Sequence, residues 1–208
     1  MTVRIGFTCM PDSGNKSRLK RVAAVILAGG QGSRMGRADK GRIPYRGRPL
    51  VEWVLDALDA QVDELVISAN RNLEAYAAYG HRVVSDTLPD FQGPLAGVLA
   101  AMQTVNAHWL AVVPCDTPHL PSDLITRLLD AAQQANVPLA VAADSTRTHH
   151  TCFVVRTDQR DSLAAFLERG ERAVRHWQAT MPTVSVLFDA AGFANVNQPQ
   201  DIPGPRSI

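Results

Sequence analysis

Cysteine is scarce in this chain. Only Cys9, Cys115 and Cys152 occur among 208 residues, and their spacing makes neither a disulfide framework nor a zinc motif. A reducing, cytoplasmic home is the expectation that follows. Long apolar runs are missing as well: none approaches the roughly 18 residues that cross a bilayer. The polar opening segment has no secretory apolar stretch, so no membrane partner is expected. A dominant charge is also absent, with 21 Lys and Arg against 20 Asp and Glu and a formal net charge of +1. No global field therefore draws the chain to nucleic acid. The basic cluster over residues 34–48 would suit a non-specific RNA binder, but acidic residues distributed over the rest of the chain argue against one.

What remains is an ordinary globular composition, 46% hydrophobic and 20% charged, in a chain long enough to bury one full core. Residues 1–21 are polar and mixed, and are expected to form a disordered tail ahead of one domain over 22–208. Within it, strands and helices alternate. Strands are expected at 23–27, 65–68, 82–84, 109–113, 139–143, 152–155 and 184–188. Helices are expected at 49–60, with Pro49 as the first helical residue, and at 73–79, from 93–94 onward, 124–132 and 161–169. Residues 43–48 carry turn signals. Such alternation predicts an α/β fold, a single Rossmann-like three-layer domain with a mostly parallel sheet.

Ligands in such sheets lie beyond the carboxyl ends of strands. There the first strand runs into Leu27-Ala28-Gly29-Gly30-Gln31-Gly32-Ser33-Arg34, continuing to Asp39-Lys40-Gly41. Glycines let backbone N–H groups close around a polyphosphate, and Arg34 and Lys40 add positive charge where phosphates would lie. This is neither of two common phosphate loops. Lys40 precedes glycine with no hydroxyl behind it, and the sixth place of a dinucleotide fingerprint counted from Gly30 is Met35. Three further strand ends carry polar groups: Ser68-Ala69-Asn70, Asp86 and Asp116.

Asp116, between Pro114 and Pro118, is a candidate ligand for a hard cation such as Mg²⁺ that a triphosphate also binds; a plain turn carboxylate is the alternative. Arg34 and Lys40 would neutralise charge at an attacked phosphoryl centre, or else are solvated loop cations. Asp86 and Ser68 are candidates to read a base, since guanine's adjacent N–H donors suit a carboxylate. Arg147, His149, Asn195 and Asn197 lie near later strand ends and suit an anionic, polar second substrate. His149 and His150 face opposite sides of an extended chain and lack a third ligand, which argues against zinc. Cys115 has no histidine base in sequence and reads as a buried thiol.

The blocks Leu27-Ala28-Gly29-Gly30, Arg34-Met35-Gly36 and Asp39-Lys40-Gly41 resemble the nucleotidyltransferase signature. Together with Gly93-Pro94-Leu95-Ala96-Gly97, Pro114-Cys115-Asp116-Thr117-Pro118 and Asn195-Val196-Asn197-Gln198-Pro199, they resemble the molybdenum cofactor guanylyltransferase family over residues 22–202. That resemblance implies transfer of GMP from Mg·GTP to the terminal phosphate of molybdopterin, with or without its molybdenum, and release of pyrophosphate. It implies nucleotide contacts at Leu27, Ala28, Gly29, Lys40 and Asp86, and a Mg²⁺ and GTP ligand at Asp116; Gly30 and Ser68, the latter where relatives can have Asn, are expected on the nucleotide from their own places after the first and second strands. Arg34, Lys40 and Asp116 would carry the catalysis. Asn195 and Asn197, with Arg147 and His149, would lie on the pterin side. Recipient molybdoenzymes or their chaperones are the implied protein partners. Two rival readings remain at this stage: a cytidylyltransferase of molybdopterin or a sugar-like phosphate, and a cofactor-binding adaptor without chemistry.

Overall fold

The structure, a computed structural model, describes residues 21–29, 39–86 and 93–196. Seven strands form the main sheet in the order β5-β4-β1-β6-β8-β7-β9. These are β1 (Val22–Leu27), β4 (Glu64–Ser68), β5 (Arg82–Val84), β6 (Trp109–Pro114), β7 (Leu139–Ala143), β8 (Thr148–Arg156) and β9 (Thr183–Leu187). Every pairing is parallel except the two made by β8, which runs against both β6 and β7. The carboxyl ends of six strands and the amino end of β8 thus share one edge of the sheet.

The central strands are buried on both faces, which explains their unbroken apolar sequences. Along β1 the side chains alternate between two cores. Ala24 and Ile26 join one core with Val54 and Leu58 of α1 (Leu50–Asp59), Tyr76 of α2 (Leu73–Ala77) and Leu124 and Leu128 of α4 (Leu124–Gln134). Ala23 and Val25 join the other, with Leu95 and Val98 of α3 (Pro94–Thr104), Leu163 and Phe166 of α5 (Arg160–Glu168) and Trp177 of α6 (Val174–Gln178). Helices on both faces complete three layers.

The structure departs from the sequence reading at three places. Residues 43–48 contain a small hairpin of β2 (Pro44–Tyr45) and β3 (Arg48–Pro49), closed by Arg46 and Gly47 at φ 49° and 82°. Two consecutive positive φ values give the twist that a two-residue hairpin needs. Pro49 therefore caps α1 rather than opening it. Helix α6 has no counterpart among the expected elements. Strand β8 begins at Thr148, earlier than residue 152, because its first residues are polar and carry no apolar alternation. Its register on β7 shifts as well: Phe153 faces Val141, but His149 faces Ala142. The intervening residues 150–152 bulge out, and pairing of β6 with β8 stops at Val112. A cleft opens there at the carboxyl edge.

Candidate functional site

Four strand ends meet in one crevice. The sheet's hydrogen bonding continues past the strands: Ala28 N–H donates to Ser68 O (2.8 Å), Cys115 N–H to Leu27 O (3.2 Å) and Ala69 N–H to Val84 O (2.9 Å). The first two bonds hold Leu27 and Ala28 between the ends of β4 and β6, and the third joins the ends of β4 and β5. Asp116 follows β6, and its carbonyl accepts from Val196 N–H at 2.9 Å. Lys40, on a 3₁₀ turn over Lys40–Arg42, donates through Nζ to Asp116 Oδ2 at 3.0 Å. Two candidates 76 residues apart in sequence are thus brought into contact.

Asp116 is 8% exposed, and its other oxygen, Oδ1, is buried with no hydrogen-bond partner. Leaving a buried acceptor unmatched costs about 1–3 kcal/mol, and more when it is charged. A carboxylate with one oxygen on an ammonium and the other unmatched is a donor set for a hard cation. Among the described residues no three His, Cys, Asp or Glu side chains assemble around a metal. A cation here would take the rest of its oxygen shell from water or a bound ligand. Cys115 beside Asp116 is fully buried, and burial pushes its thiol well above the usual range, so it is no nucleophile.

Asp86 follows β5 at the same edge of the sheet. Its Oδ2 accepts from Asn70 Nδ2 at 2.8 Å, and its own N–H donates to Asn70 Oδ1 at 3.0 Å. Burial raises the Asp86 pKa above the usual carboxylate value, and the Asn70 bond pulls it back in part. Asn70 also approaches Gly29 closely: a Cβ there would sit 3.3 Å from Asn70 Nδ2. Ser68 is buried, its hydroxyl against Gly97 of α3, where a Cβ would collide with it. The side chain that reaches Asp86 is Asn70, which the sequence reading passed over.

The cleft beside β8 adjoins this crevice. It encloses about 440 Å³, open space at its mouth included, and Pro114 and Thr117 on either side of Cys115-Asp116 form one wall. Arg147, His149 and Asn195 line it too. His149 is held on two sides: its Nε2 contacts Asp144 Oδ2 at 2.8 Å, and its ring stacks on Phe193 at 4.2 Å between centroids. Asp144 closes the β7–β8 turn. The Thr146 hydroxyl and N–H, together with the Arg147 N–H and His149, hold its carboxyl well below the usual range. The His150 ring bonds Gln178 at 2.7 Å rather than sharing the partners of His149. Gly30, Arg34 and Asn197, like residues 1–20 of the expected 1–21 tail, lie outside the described residues.

A family model, the MobA-like NTP transferase domain, matches residues 24–183. The chain belongs to the MobA-like nucleotidyltransferase family. Among its curated relatives is a molybdenum cofactor guanylyltransferase of Cupriavidus metallidurans, 43% identical over 182 residues that cover 85% of this chain and 90% of the relative. Another, from Burkholderia lata, is 44% identical over 203 residues and covers 93% and 97%. Among solved structures, a molybdopterin-guanine dinucleotide biosynthesis protein A from Archaeoglobus fulgidus superposes with a TM-score of 0.72 at 21% identity, covering 86% and 94%. That likeness places this MobA-like chain in the same Rossmann-like fold. Among its described residues no helix is long and apolar enough to cross a membrane.

Proposed function

We propose that this MobA-like nucleotidyltransferase moves GMP from GTP to the terminal phosphate of molybdopterin, or of its molybdenum-loaded form. The observation that carries the site reading is Asp116, half-paired with Lys40 and half-unmatched, at the edge where the glycine loop leaves β1. Curated relatives above 40% identity over most of the chain supply the identity of the two substrates.

A phosphate oxygen of the acceptor attacks the α-phosphorus of GTP in line. The bond from that phosphorus to the bridging oxygen breaks, and pyrophosphate leaves with the electron pair. The acceptor phosphate is already ionised near neutral pH, so no strong general base is needed. This accounts for a site without a triad. Nucleotidyltransferases typically use a divalent metal; Asp116 would hold such a cation, Mg²⁺ in this reading, which would supply charge neutralisation at the α-phosphate. Lys40 would offset the growing charge of the leaving pyrophosphate, a role the sequence also assigns to Arg34. Leu27, Ala28, Gly29 and Gly30 offer backbone to the nucleotide, and Asp86, steadied by Asn70, accepts from the guanine N–H edge; Ser68 backs this wall. Arg147, His149 and Asn195, which line the adjoining cleft with Thr117, would receive the acceptor there, and the sequence assigns Asn197 to the same substrate. Positioning and charge neutralisation together do the work.

Incubation with molybdopterin, Mg²⁺ and each nucleoside triphosphate, with products identified by mass, tests this reading. The guanine dinucleotide and pyrophosphate should form from GTP. A cytosine dinucleotide as main product would overturn the guanylyl assignment, and binding of both substrates with no product would favour an adaptor.

A further inference from the structure

Lys40 is aimed from one side by a clasp that the proposed reaction does not itself use. Asp39, immediately before it, accepts one hydrogen bond on each carboxylate oxygen: Tyr76 Oη donates to Oδ1, and Asn72 Nδ2 donates to Oδ2 at 2.8 Å. Both donors come from α2 and its cap, more than thirty residues away. The Asp39 carbonyl in turn accepts from Arg42 N–H at 3.0 Å, and the Lys40 carbonyl from Ile43 N–H at 3.1 Å. Those two bonds make the 3₁₀ turn on which Lys40 sits. At its far end Ile43 O accepts from Leu50 N–H at 3.0 Å, which ties the turn to α1.

The clasp is built closely. Tyr76 is the sole buried residue of α2, while Leu73 of the same helix is 42% exposed. The inward business of this short helix is therefore the tyrosine, and a buried phenol O–H requires a partner. Burial, and then the bond to Asp39, push the Tyr76 pKa far up, so the group remains a proton donor at any physiological pH. Asn72 holds a left-handed backbone at φ 53°, uncommon outside glycine, while its amide reaches Asp39. Gly41 lies against the Tyr76 ring, where a Cβ would collide with Oη, so turn and ring fit only with glycine at that place.

We infer that Tyr76 and Asn72 are positioning residues for the reaction: by fixing both oxygens of Asp39 they set the turn that presents Lys40 to Asp116 and the nucleotide phosphates. Both act through Asp39. The inference rests on the reading of Lys40 given above. If the clasp were only a fold contact, its loss would reduce stability without regard to Lys40.

A double-mutant cycle separates the two. Tyr76→Phe removes a single hydroxyl and keeps the ring; Asn72→Gly removes the amide and keeps the left-handed backbone. Each is measured for kcat, for KM of GTP and for thermal unfolding, alone and combined with Lys40→Met. Tyr76→Phe should lower kcat about tenfold, a modest share of what misplacing a positioned group costs. In the Lys40→Met background the same change should shift kcat by less than about twofold, because coupled residues lose their effect once the shared partner is gone. Asn72→Gly should follow the same pattern. Wild-type kcat in Tyr76→Phe, or an equal loss in both backgrounds, would overturn the clasp while leaving Lys40's role standing. Unchanged turnover in Lys40→Met alone would overturn the role of Lys40 and the clasp with it.

Discussion

Asp116→Asn will lower turnover by about 10³-fold, the cost of removing a group that stabilises charge in the transition state. The substitution conserves shape, and the carbonyl that receives the Val196 N–H bond belongs to the backbone and survives. What changes is the charge. Asparagine offers no anionic oxygen to a divalent cation; turned so that its carbonyl oxygen keeps the Lys40 bond, it puts NH₂ where the unmatched oxygen stood. Thermal unfolding should change far less than activity, because an amide oxygen can keep the Lys40 bond and the buried oxygen without a partner has no hydrogen bond to lose. Steady-state pyrophosphate release at saturating GTP measures the effect. Turnover within tenfold of wild type would show that the carboxylate plays no electrostatic part.

Asp86→Ala will weaken discrimination for GTP by roughly 10²-fold or more, since each hydrogen bond to a charged group contributes about 1.5–3 kcal/mol and guanine presents two donors. Calorimetric titration with GTP and CTP reads this directly. The ionised carboxylate is the acceptor, so GTP affinity falls as the pH drops through the Asp86 pKa. That value is raised by burial, and the acid limb lies above the ordinary aspartate range. The Asn70 bond lowers it, so Asn70→Ala should move the limb to still higher pH. Stability runs the other way for this group: a carboxylate with a raised folded pKa binds its proton more tightly folded than unfolded, and it favours the native state more as the pH falls. Asp144 behaves oppositely. Its depressed pKa contributes stability above the ordinary carboxylate range, and that contribution fades as the pH falls through it. Loss of GTP binding should thus precede acid unfolding. A limb at the ordinary aspartate value, unmoved by Asn70→Ala, would remove Asp86 from base recognition.

Strands β1 and β6 were legible because a strand buried on both faces must be apolar throughout, and few other elements are so short and unbroken. The strand-end rule then located Lys40, Asp86 and Asp116 at one edge before any contact was visible. Helix α6 escaped because its five residues offer only Val174 and Trp177 as apolar positions, too few to set a period. The antiparallel β8 escaped in part for the same reason: the polar residues 148–151 follow a hydrogen-bonding turn rather than a hydrophobic pattern. Ser68 and Asn70 share a face by the two-residue period, and nothing in the sequence ranks Asn70 above Ser68, the residue expected to read the base. Burial does: Ser68 lies beneath α3 at Gly97, and Asn70 stands beyond the last residue of β4 within reach of Asp86. The Tyr76–Asp39 bond joins residues 37 apart in sequence and leaves no local signal.

The central claim is that the Asp116 carboxylate holds the cation that a nucleoside triphosphate brings. Anomalous diffraction from crystals grown with Mn²⁺ and a non-hydrolysable GTP analogue tests it most directly. A manganese peak should lie about 2.0–2.2 Å from an Asp116 oxygen, with the remaining coordination from phosphate oxygens and water. Manganese bound to the phosphates alone, with Asp116 still engaged only by Lys40, would contradict the account.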